Sequence, residues 1–476
     1  MTLPHEPAGT DHAPRRVLSV ASAVSIIVGI VIGAGIFKTP SMVAGFVPSV
    51  GWFIAAWVLG GVISIIGALC YAELAATYPD AGGDYHYITR AFGRDAAFLF
   101  AWARMTVIQT GSIAVHAFII GDYASATFAD FGPYSSAVYA AVVVVILTAL
   151  NLAGVRQGAR AQMLLSGCVL LALLMVVAVG AMALFRESGV AAATSAGPAA
   201  AAAATARPNM FGLAMVFVLL TYGGWNEAAY LSAEVRGRRG IVGALLGGMA
   251  LVMGIYLLVN AAYLAAVGMD GMANTKVVAA DMMETTFLGT NGARLISLII
   301  VVAAVGNING TIITGARTNY ALGRDFPVLA TLARWKDSSN TPINALVIQG
   351  IISMLLVGVG AFAKNGFSAM VEYTAPVFWL FFLLAGLSVI VLRQRERGIP
   401  RPFKTPLYPL TPILFCLACA YMLYSSLDYA GRYAWIGVAV LIAGLPMLLI
   451  ARRQAALANV RGFPIDAAPE AVQQQA

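Results

Sequence analysis

Two hydrophobic stretches of this 476-residue chain are each interrupted by a cluster of glycines. The first is Gly29–Phe37 (GIVIGAGIF), which Pro40 follows, and the second is Tyr222–Asn226 (YGGWN). Glycine is unfavourable inside a helix, and in a bilayer an unwound backbone persists only where it contacts protein or lines a water-filled cavity. The spacing of Gly29 and Gly33 also fits a face on which helices pack closely. The third glycine, the proline and the second cluster together favour two broken helices.

The composition is that of an integral membrane protein. Hydrophobic residues make up 60% of the chain and charged residues 11%, with a mean hydropathy of +0.83, whereas soluble domains are about half apolar and a quarter charged. Long apolar runs such as 54–76, 163–185 and 245–267 need lipid or one another as surroundings. The net charge of +8 is spread over the loops between these runs. We therefore expect the chain to contact a lipid bilayer and no nucleic acid.

Twelve apolar runs are long enough to cross ~30 Å of hydrocarbon, so the sequence predicts an all-α membrane protein with twelve transmembrane helices. Both termini lie on one side, because the count is even. Of the 29 Lys and Arg residues, 21 fall in loops on the side of the termini and six in loops on the other. The positive-inside rule therefore predicts a multi-pass protein of the plasma (inner) membrane with cytoplasmic termini. The spans are centred near residues 31, 64, 111, 143, 174, 222, 254, 308, 352, 380, 418 and 442.

The two interruptions fall in the first and sixth spans, which indicates an internal repeat. Because five is odd, the second group of five spans begins from the opposite side of the membrane, as an inverted repeat requires. We predict a five-plus-five inverted repeat with discontinuous helices 1 and 6, plus two extra C-terminal helices. An Ala-rich segment at 189–205 is predicted to form an external loop without an assigned function. The predicted divisions are a cytoplasmic N-terminal arm at 1–14, a transmembrane domain at 15–453 (repeats at 17–185 and 210–393, last two helices at 408–451) and a cytoplasmic tail at 454–476.

A matched pair of helix breaks is typical of a secondary transporter whose substrate binds near the middle of the membrane. The amide end of a broken helix suits a carboxylate and the carbonyl end suits an ammonium group. An α-amino acid carries both groups on one carbon, so it is the predicted substrate. The asparagine can form hydrogen bonds with it, and the tyrosine and tryptophan can wall the site. The candidate substrate-binding residues are Ile32, Gly33, Ala34, Gly35 and Ile36 in the first break and Tyr222, Gly223, Trp225 and Asn226 in the second.

Charged residues next to the breaks are candidates for gating or coupling. A carboxylate inside a membrane costs roughly 2.5–3.5 kcal/mol on insertion scales. Glu227 could favour a cationic substrate, carry a proton or pair with Arg104. Lys38 is expected either to extend toward the membrane surface or to pair with Glu372. Glu73 and Glu234 lie near the cytoplasmic ends of the helices, where gating or structural ion pairs are expected rather than substrate contacts.

Several motifs, in order along residues 17–450, resemble the amino acid–polyamine–organocation superfamily, and within it the L-amino acid transporter group. Gly29–Phe37 is similar to the family's glycine motif in the first helix. The resemblance continues in 71–74 (YAEL) with 79–85 (PDAGGDY), 151–158 (NLAGVRQG), 221–226 (TYGGWN), 307–310 (NING) and 401–406 (RPFKTP). It implies the five-plus-five fold, transport of amino acids by alternating access, and substrate contacts at the two breaks.

Departures from the family pattern bear on coupling and gating. Val169 stands where many sodium-independent relatives have a lysine, and Ala303-Ala304-Val305 stands where sodium-coupled relatives supply hydroxyls. Sodium coupling is therefore not expected, and exchange and proton symport stay open. Leu220 replaces an aromatic gate, so occlusion would depend on Tyr222 or Trp225. The loop at 127–133 contains no cysteine, so no disulfide-linked heavy chain is expected, and the oligomeric state is left open.

Other classes of protein fit the sequence less well. The motifs of hydrolases, metalloproteases and phosphate-binding loops are absent from the sequence, and the four histidines and four cysteines are not clustered. We therefore expect no enzyme activity, no cofactor and no metal. A channel would need a continuous polar pore, and a receptor would bind the amino acid without moving it. The nearest alternative substrates for a carrier are polyamines or cationic amines, which Glu227 favours.

Overall fold

The structure, a computed structural model, describes residues 19–80, 82–154, 159–185, 210–227, 235, 240–336, 341–428 and 431–460. The predicted arm at 1–14, the Ala-rich loop at 189–205 and Glu234 lie outside these residues. The described residues are mainly helical. The helices are α1 Val20–Val31, α2 Thr39–Phe46, α3 Val50–Thr77, α4 Asp84–Phe92, α5 Arg94–Thr127, α6 Ser135–Leu152, α7 Ala159–Phe185, α8 Phe211–Thr221, α9 Gly240–Ala266, α10 Gly268–Ala273, α11 Val278–Glu284, α12 Gly289–Asp325, α13 Ile343–Ala361, α14 Gly366–Arg395, α15 Leu410–Asp428, α16 Arg432–Ile442 and α17 Gly444–Val460. Short 3₁₀ helices at Ala34–Phe37 and Pro327–Ala333 and an antiparallel strand pair, β1 Trp335–Lys336 with β2 Thr341–Pro342, complete the described elements.

Ten helical segments in the described part of the chain are long and apolar enough to cross a membrane. They match the predicted spans other than the first and sixth, and the all-α membrane class is confirmed. The first and sixth predicted spans contain α1 and α8, which have only 12 and 11 residues. The count of twelve spans stays a prediction. The last helix runs to Val460, past the predicted start of the tail at 454, and its Arg452 pairs with Asp95 at the start of α5.

Both predicted helix breaks are present. The first helix ends at Val31, and a 3₁₀ turn at Ala34–Phe37 precedes α2. The sixth ends at Thr221, and Gly224 then has a φ of +101°, a conformation that glycine adopts without strain. A Cβ atom on Gly224 would lie 3.3 Å from the carbonyl oxygen of Ile30. The two breaks therefore touch, although about 190 residues separate them in the sequence.

A buried ion pair lies just beyond the first break. Lys38 has no exposed surface, and its Nζ donates to Asp122 Oδ2 at 2.5 Å and to the carbonyl oxygen of Lys276 at 2.8 Å. The expected pairing of Lys38 with Glu372 is wrong. Glu372 instead accepts a hydrogen bond from Ser368 Oγ one turn earlier in α14, at 3.2 Å. The reason is geometric, since the end of α5 lies directly beside the start of α2.

A second ion cluster closes the opposite end of the bundle, as predicted for Glu73. Its carboxylate accepts hydrogen bonds from Arg393 Nε at 2.6 Å and from the Thr405 amide at 2.7 Å, and Arg401 Nε lies 3.3 Å away. Because Glu73 is at the end of α3 and Arg393 at the end of α14, the cluster joins these helices to the segment before α15. This fixes one end of the helices that surround the breaks.

The Lys38–Asp122 pair provides a test of the packing outside the first break. Lys38→Met leaves a buried carboxylate without its partner, so we expect the free energy of unfolding to fall by about 3–5 kcal/mol. The double variant Lys38→Met with Asp122→Leu should lose less free energy of unfolding than Lys38→Met alone, because no charge is left buried. The measurement is the thermal unfolding of purified protein in detergent. Arg452→Met, which removes an exposed pair, is the control and should cost about 1 kcal/mol or less. A double variant no more stable than Lys38→Met would contradict the assignment of Asp122 as the buried partner of Lys38.

Candidate functional site

A cavity of about 420 Å³ lies where the two breaks meet α5, α12 and α14. Its volume is within the range of small-molecule sites. Among the candidate residues, those that line it are Gly33, Gly35, Gly223, Asn226, Glu227 and Leu220. The side chains of Ile32, Ala34 and Ile36 are buried in the core beside the break, which agrees with a role for their backbone rather than their side chains. Two further candidates, Lys38 and Val169, are buried outside the cavity lining.

The first break presents both hydrogen-bond acceptors and donors. Gly29 and Ile30, in the last turn of α1, line the cavity, and carbonyls in the last turn of a helix lack the usual helical partner. In the described part of the chain, the amides of Ala34 and Gly35 donate no hydrogen bond to a backbone carbonyl. The break thus has a carbonyl end and an amide end on either side of Gly33. A ligand with a positive and a negative group fits this arrangement.

One hydroxyl connects the two breaks. Tyr256 Oη, from α9, lies 2.9 Å from the carbonyl oxygen of Val31 and 3.2 Å from that of Thr221. These are the last residues of α1 and α8, so one hydroxyl, with a single hydrogen to donate, is shared between the carbonyl ends of both helices. The sequence analysis missed Tyr256, because a single tyrosine in a long apolar helix does not reveal which backbone it faces.

Two of the predicted aromatic residues do not form the cavity wall. Tyr222 packs against Trp57 and Tyr256, and its hydroxyl donates to the Trp57 carbonyl at 3.1 Å. Trp225 packs edge-on against Tyr71, with ring centroids 5.0 Å apart. Both side chains are almost fully buried. They support the second break from behind, which corrects the expectation that they wall or occlude the site.

The aromatic wall comes mainly from α14 instead. Phe378 and Phe382 stack with centroids 4.2 Å apart, and further phenylalanines complete the lining. The sequence analysis missed this wall because phenylalanines in an apolar helix can equally face lipid. The six phenylalanines that line the cavity are Phe100, Phe217, Phe367, Phe378, Phe381 and Phe382.

A charged cluster borders the cavity beside α4. Helix α5 contains a π-helical segment, Arg104–Ile108, a distortion that is frequent at functional sites. Arg104 Nη2 lies 3.1 and 3.2 Å from the two Glu227 oxygens, so the ion pair, one of the three roles that the sequence left open for Glu227, is present. Asn226 Nδ2 donates to Asp84 Oδ2 at 3.2 Å. Burial raises the pKa of Asp84 to about 6, against the opposing effects of hydrogen bonds from Tyr71 and Asn226 and the charge of Arg104.

The cavity wall between α5 and α12 is polar. It contains hydroxyl, amide and imidazole groups on two helices that pack against each other and that both contact the first break. The sequence analysis noted the asparagine motif in α12 and an isolated histidine in α5, but it did not place them together. The residues of this polar wall are Gln109, Ser112 and His116 on α5 and Asn307, Thr311 and Thr314 on α12.

Comparisons with known proteins agree with this geometry. Residues 18–448 match the Amino acid permease family. The chain is 30% identical to the large neutral amino acids transporter small subunit 2 of Rattus norvegicus over 448 residues, covering 93% of this chain and 82% of the relative. It is 28% identical to the b(0,+)-type amino acid transporter 1 of Mus musculus, covering 87% and 83%. It is also 28% identical to the cystine/glutamate transporter of Homo sapiens, covering 93% and 86%.

The raised pKa of Asp84 predicts a pH-dependent stability. Between the ordinary pKa of 3.8 and the raised value near 6, the folded chain binds a proton that the unfolded chain does not bind. Stability due to this group therefore falls as pH rises through that window. Lowering the pH from 7.5 to 5 should stabilise the wild type relative to Asp84→Asn by about 1 kcal/mol, measured by thermal unfolding. The exposed residue Asp428 offers a control, Asp428→Asn, which should follow the wild type. Parallel pH profiles for Asp84→Asn and the wild type would contradict the prediction.

Proposed function

The chain belongs to the amino acid permease family, and from that premise we propose that it exchanges neutral amino acids across the plasma membrane by alternating access. It is an amino acid transporter and not an enzyme. The observation that carries the proposal is the pair of touching breaks beside one cavity. Relatives named as transporters of large neutral amino acids support the substrate class.

In the proposed binding mode, main-chain groups of the protein bind the substrate. The ammonium group would bind at the carbonyl end formed by Gly29 and Ile30, and the carboxylate at the amides of Ala34 and Gly35. Gly33 and Gly35 leave the backbone uncovered, which lets the substrate approach it closely. The second break contributes Gly223 and Asn226. Such contacts recognise any α-amino acid and leave its side chain to be read by the cavity walls.

The pattern of closure indicates which side the cavity faces. Toward α2, the Phe217 ring packs between two others, with its centroid 5.4 Å from that of Phe46 and 6.0 Å from that of Phe367. On the same side, Thr221 Oγ1 donates to Thr39 Oγ1 at 2.6 Å. Toward α4, in contrast, the Glu227 side chain is one-third exposed. If the termini and α4 are cytoplasmic, as the distribution of Lys and Arg predicts, these contacts support an inward-facing conformation. Two repeats of five helices, at 17–185 and 210–393, would move relative to each other to expose the other side.

Exchange is the coupling mode that we favour. Val169, Ala303 and Ala304 are buried and carry no side-chain oxygen for a sodium ion. Proton symport is the alternative, for which Asp84 and Glu227 are the candidate proton carriers. The relative from Rattus norvegicus is named a small subunit. Because the loop at 127–133 lacks cysteine, we propose that this chain has no disulfide-linked heavy chain.

A second candidate function is transport of cationic amines. Glu227 and Asp84 border the cavity and would favour a positive side chain. Arg104 weakens this alternative because it already neutralises Glu227. Neutral amino acids therefore remain the primary proposal.

The proposed site can be tested in proteoliposomes that are preloaded with unlabelled amino acids. Counterflow of a labelled neutral amino acid is expected for the wild type and requires a carrier rather than a channel or receptor. Gly35→Val should abolish it, because a Cβ at this position would already lie 3.7 Å from the Thr221 side chain and the added methyl groups would crowd the proposed carboxylate site. Asn226→Ala should abolish it by removing the bond to Asp84. Asn344→Ala, remote from the cavity, is the control. Wild-type counterflow by both cavity variants, with normal membrane insertion, would refute the site.

The role of Glu227 has a separate test. Glu227→Gln leaves Arg104 without its anionic partner, so uptake of neutral substrates should fall and inhibition by cationic amino acids should weaken. Inhibition by lysine, leucine and glutamate is measured at pH 5.5 and 7.5 for the variant and the wild type. Identical inhibition and pH profiles would mean that the pair is only structural.

A further inference from the structure

His116 and Asn307 approach the same point beside the first break. A Cβ atom on Gly33 would lie 3.6 Å from His116 Nε2 and 3.3 Å from Asn307 Nδ2. The two side chains come from different helices, α5 and α12, and both line the cavity. Because Gly33 has no side chain, the space that its Cβ would fill is open to both polar atoms.

The two side chains present complementary hydrogen-bonding groups. His116 Nδ1 lies 2.8 Å from the Ser112 carbonyl oxygen, so the neutral ring carries its proton on Nδ1. Its Nε2 atom is then an acceptor. Asn307 Nδ2 is a buried donor without a hydrogen-bond partner among the described residues. A buried donor left unpaired costs about 1–3 kcal/mol, so a ligand group that accepts its hydrogen bond would be favoured.

We propose that His116 and Asn307 form a specificity subsite for the side chain of a neutral polar amino acid. This inference rests on the proposed function. A hydroxyl or a carboxamide both donates and accepts, so it can donate to His116 Nε2 and accept from Asn307 Nδ2. An aliphatic side chain would leave both atoms unpaired, and a carboxylate could not donate to the imidazole. The substrate class is therefore amino acids with hydroxyl or amide side chains, such as serine, threonine and asparagine.

The location of the pair separates this role from recognition of the substrate's main chain. The donor and acceptor ends of the break already match the carboxylate and ammonium groups. His116 and Asn307 belong instead to the polar wall of the cavity, which the phenylalanines of α14 also line. A side chain that leaves the break between these walls can place a methyl group toward Phe378 and a hydroxyl toward His116. Threonine carries both groups on one carbon.

Threonine and valine are the matched probes, because they have nearly the same shape and differ in one hydroxyl. The half-saturating concentration of each is measured for counterflow in proteoliposomes containing the full chain. The wild type should be saturated by threonine at a concentration about tenfold lower than by valine. His116→Leu and Asn307→Leu should bring the ratio close to one, mainly by weakening threonine. His116→Gln, which keeps polar atoms at this position, should retain part of the preference.

Matched controls carry the same substitutions away from the cavity. His86→Leu, at a partly exposed position on α4, and Asn344→Leu on α13 should keep the wild-type ratio of the two half-saturating concentrations. Equal half-saturating concentrations of threonine and valine for the wild type would overturn the subsite. This comparison uses the wild type alone, so it does not depend on whether a variant folds. An equal loss of threonine and valine counterflow in the leucine variants would also overturn the subsite. That result would mean that His116 and Asn307 act on the substrate's main-chain groups rather than on its side chain. Counterflow of other amino acids would then still support the proposed function, whereas no counterflow of any amino acid would overturn both.

Discussion

The contact between the two helix breaks is the constraint on which the cavity depends. The Tyr256 hydroxyl lies within hydrogen-bond distance of the last carbonyls of both α1 and α8, and Gly224 allows the second break to approach Ile30. The unwound segments are therefore ordered by the protein before any ligand arrives. Preorganised donors and acceptors reduce the entropy that binding would otherwise lose. A side chain at Gly224 or loss of the phenol would act on both breaks together, because they share these contacts.

Under the proposed function, the walls around the breaks divide recognition into separate parts. The breaks supply backbone groups that suit every α-amino acid, whereas α14 supplies an aromatic surface and α5 with α12 a polar one. The charged cluster with Arg104 and Glu227 borders the side facing α4. Selectivity can therefore change through wall residues while the backbone contacts stay the same. This separation would account for transporters with different substrate names that all resemble this chain over most of its length.

The sequence was sufficient to locate the helix breaks, but not to predict which way the side chains of each helix face. A cluster of glycines disfavours a continuous helix more than the single glycines of the other spans do, so both breaks could be located to within a residue or two. The partner of Lys38 could not be predicted, because Asp122 and Glu372 are equally plausible until the rotation of α5 and α14 is known. The same limit applies to Tyr222 and Trp225, which point away from the cavity although they belong to the second break. The family resemblance was sufficient for the fold class, which does not depend on such rotations.

The buried pair of Lys38 and Asp122 has a consequence for how the helix after the first break can move. Any displacement of helix α2, which follows Lys38, away from α5 would separate these opposite charges in a medium of low dielectric constant. The pair therefore acts as a latch between α2 and α5. Under the proposed alternating access, a rearrangement that parts these two helices would have to offset the lost attraction with new contacts elsewhere.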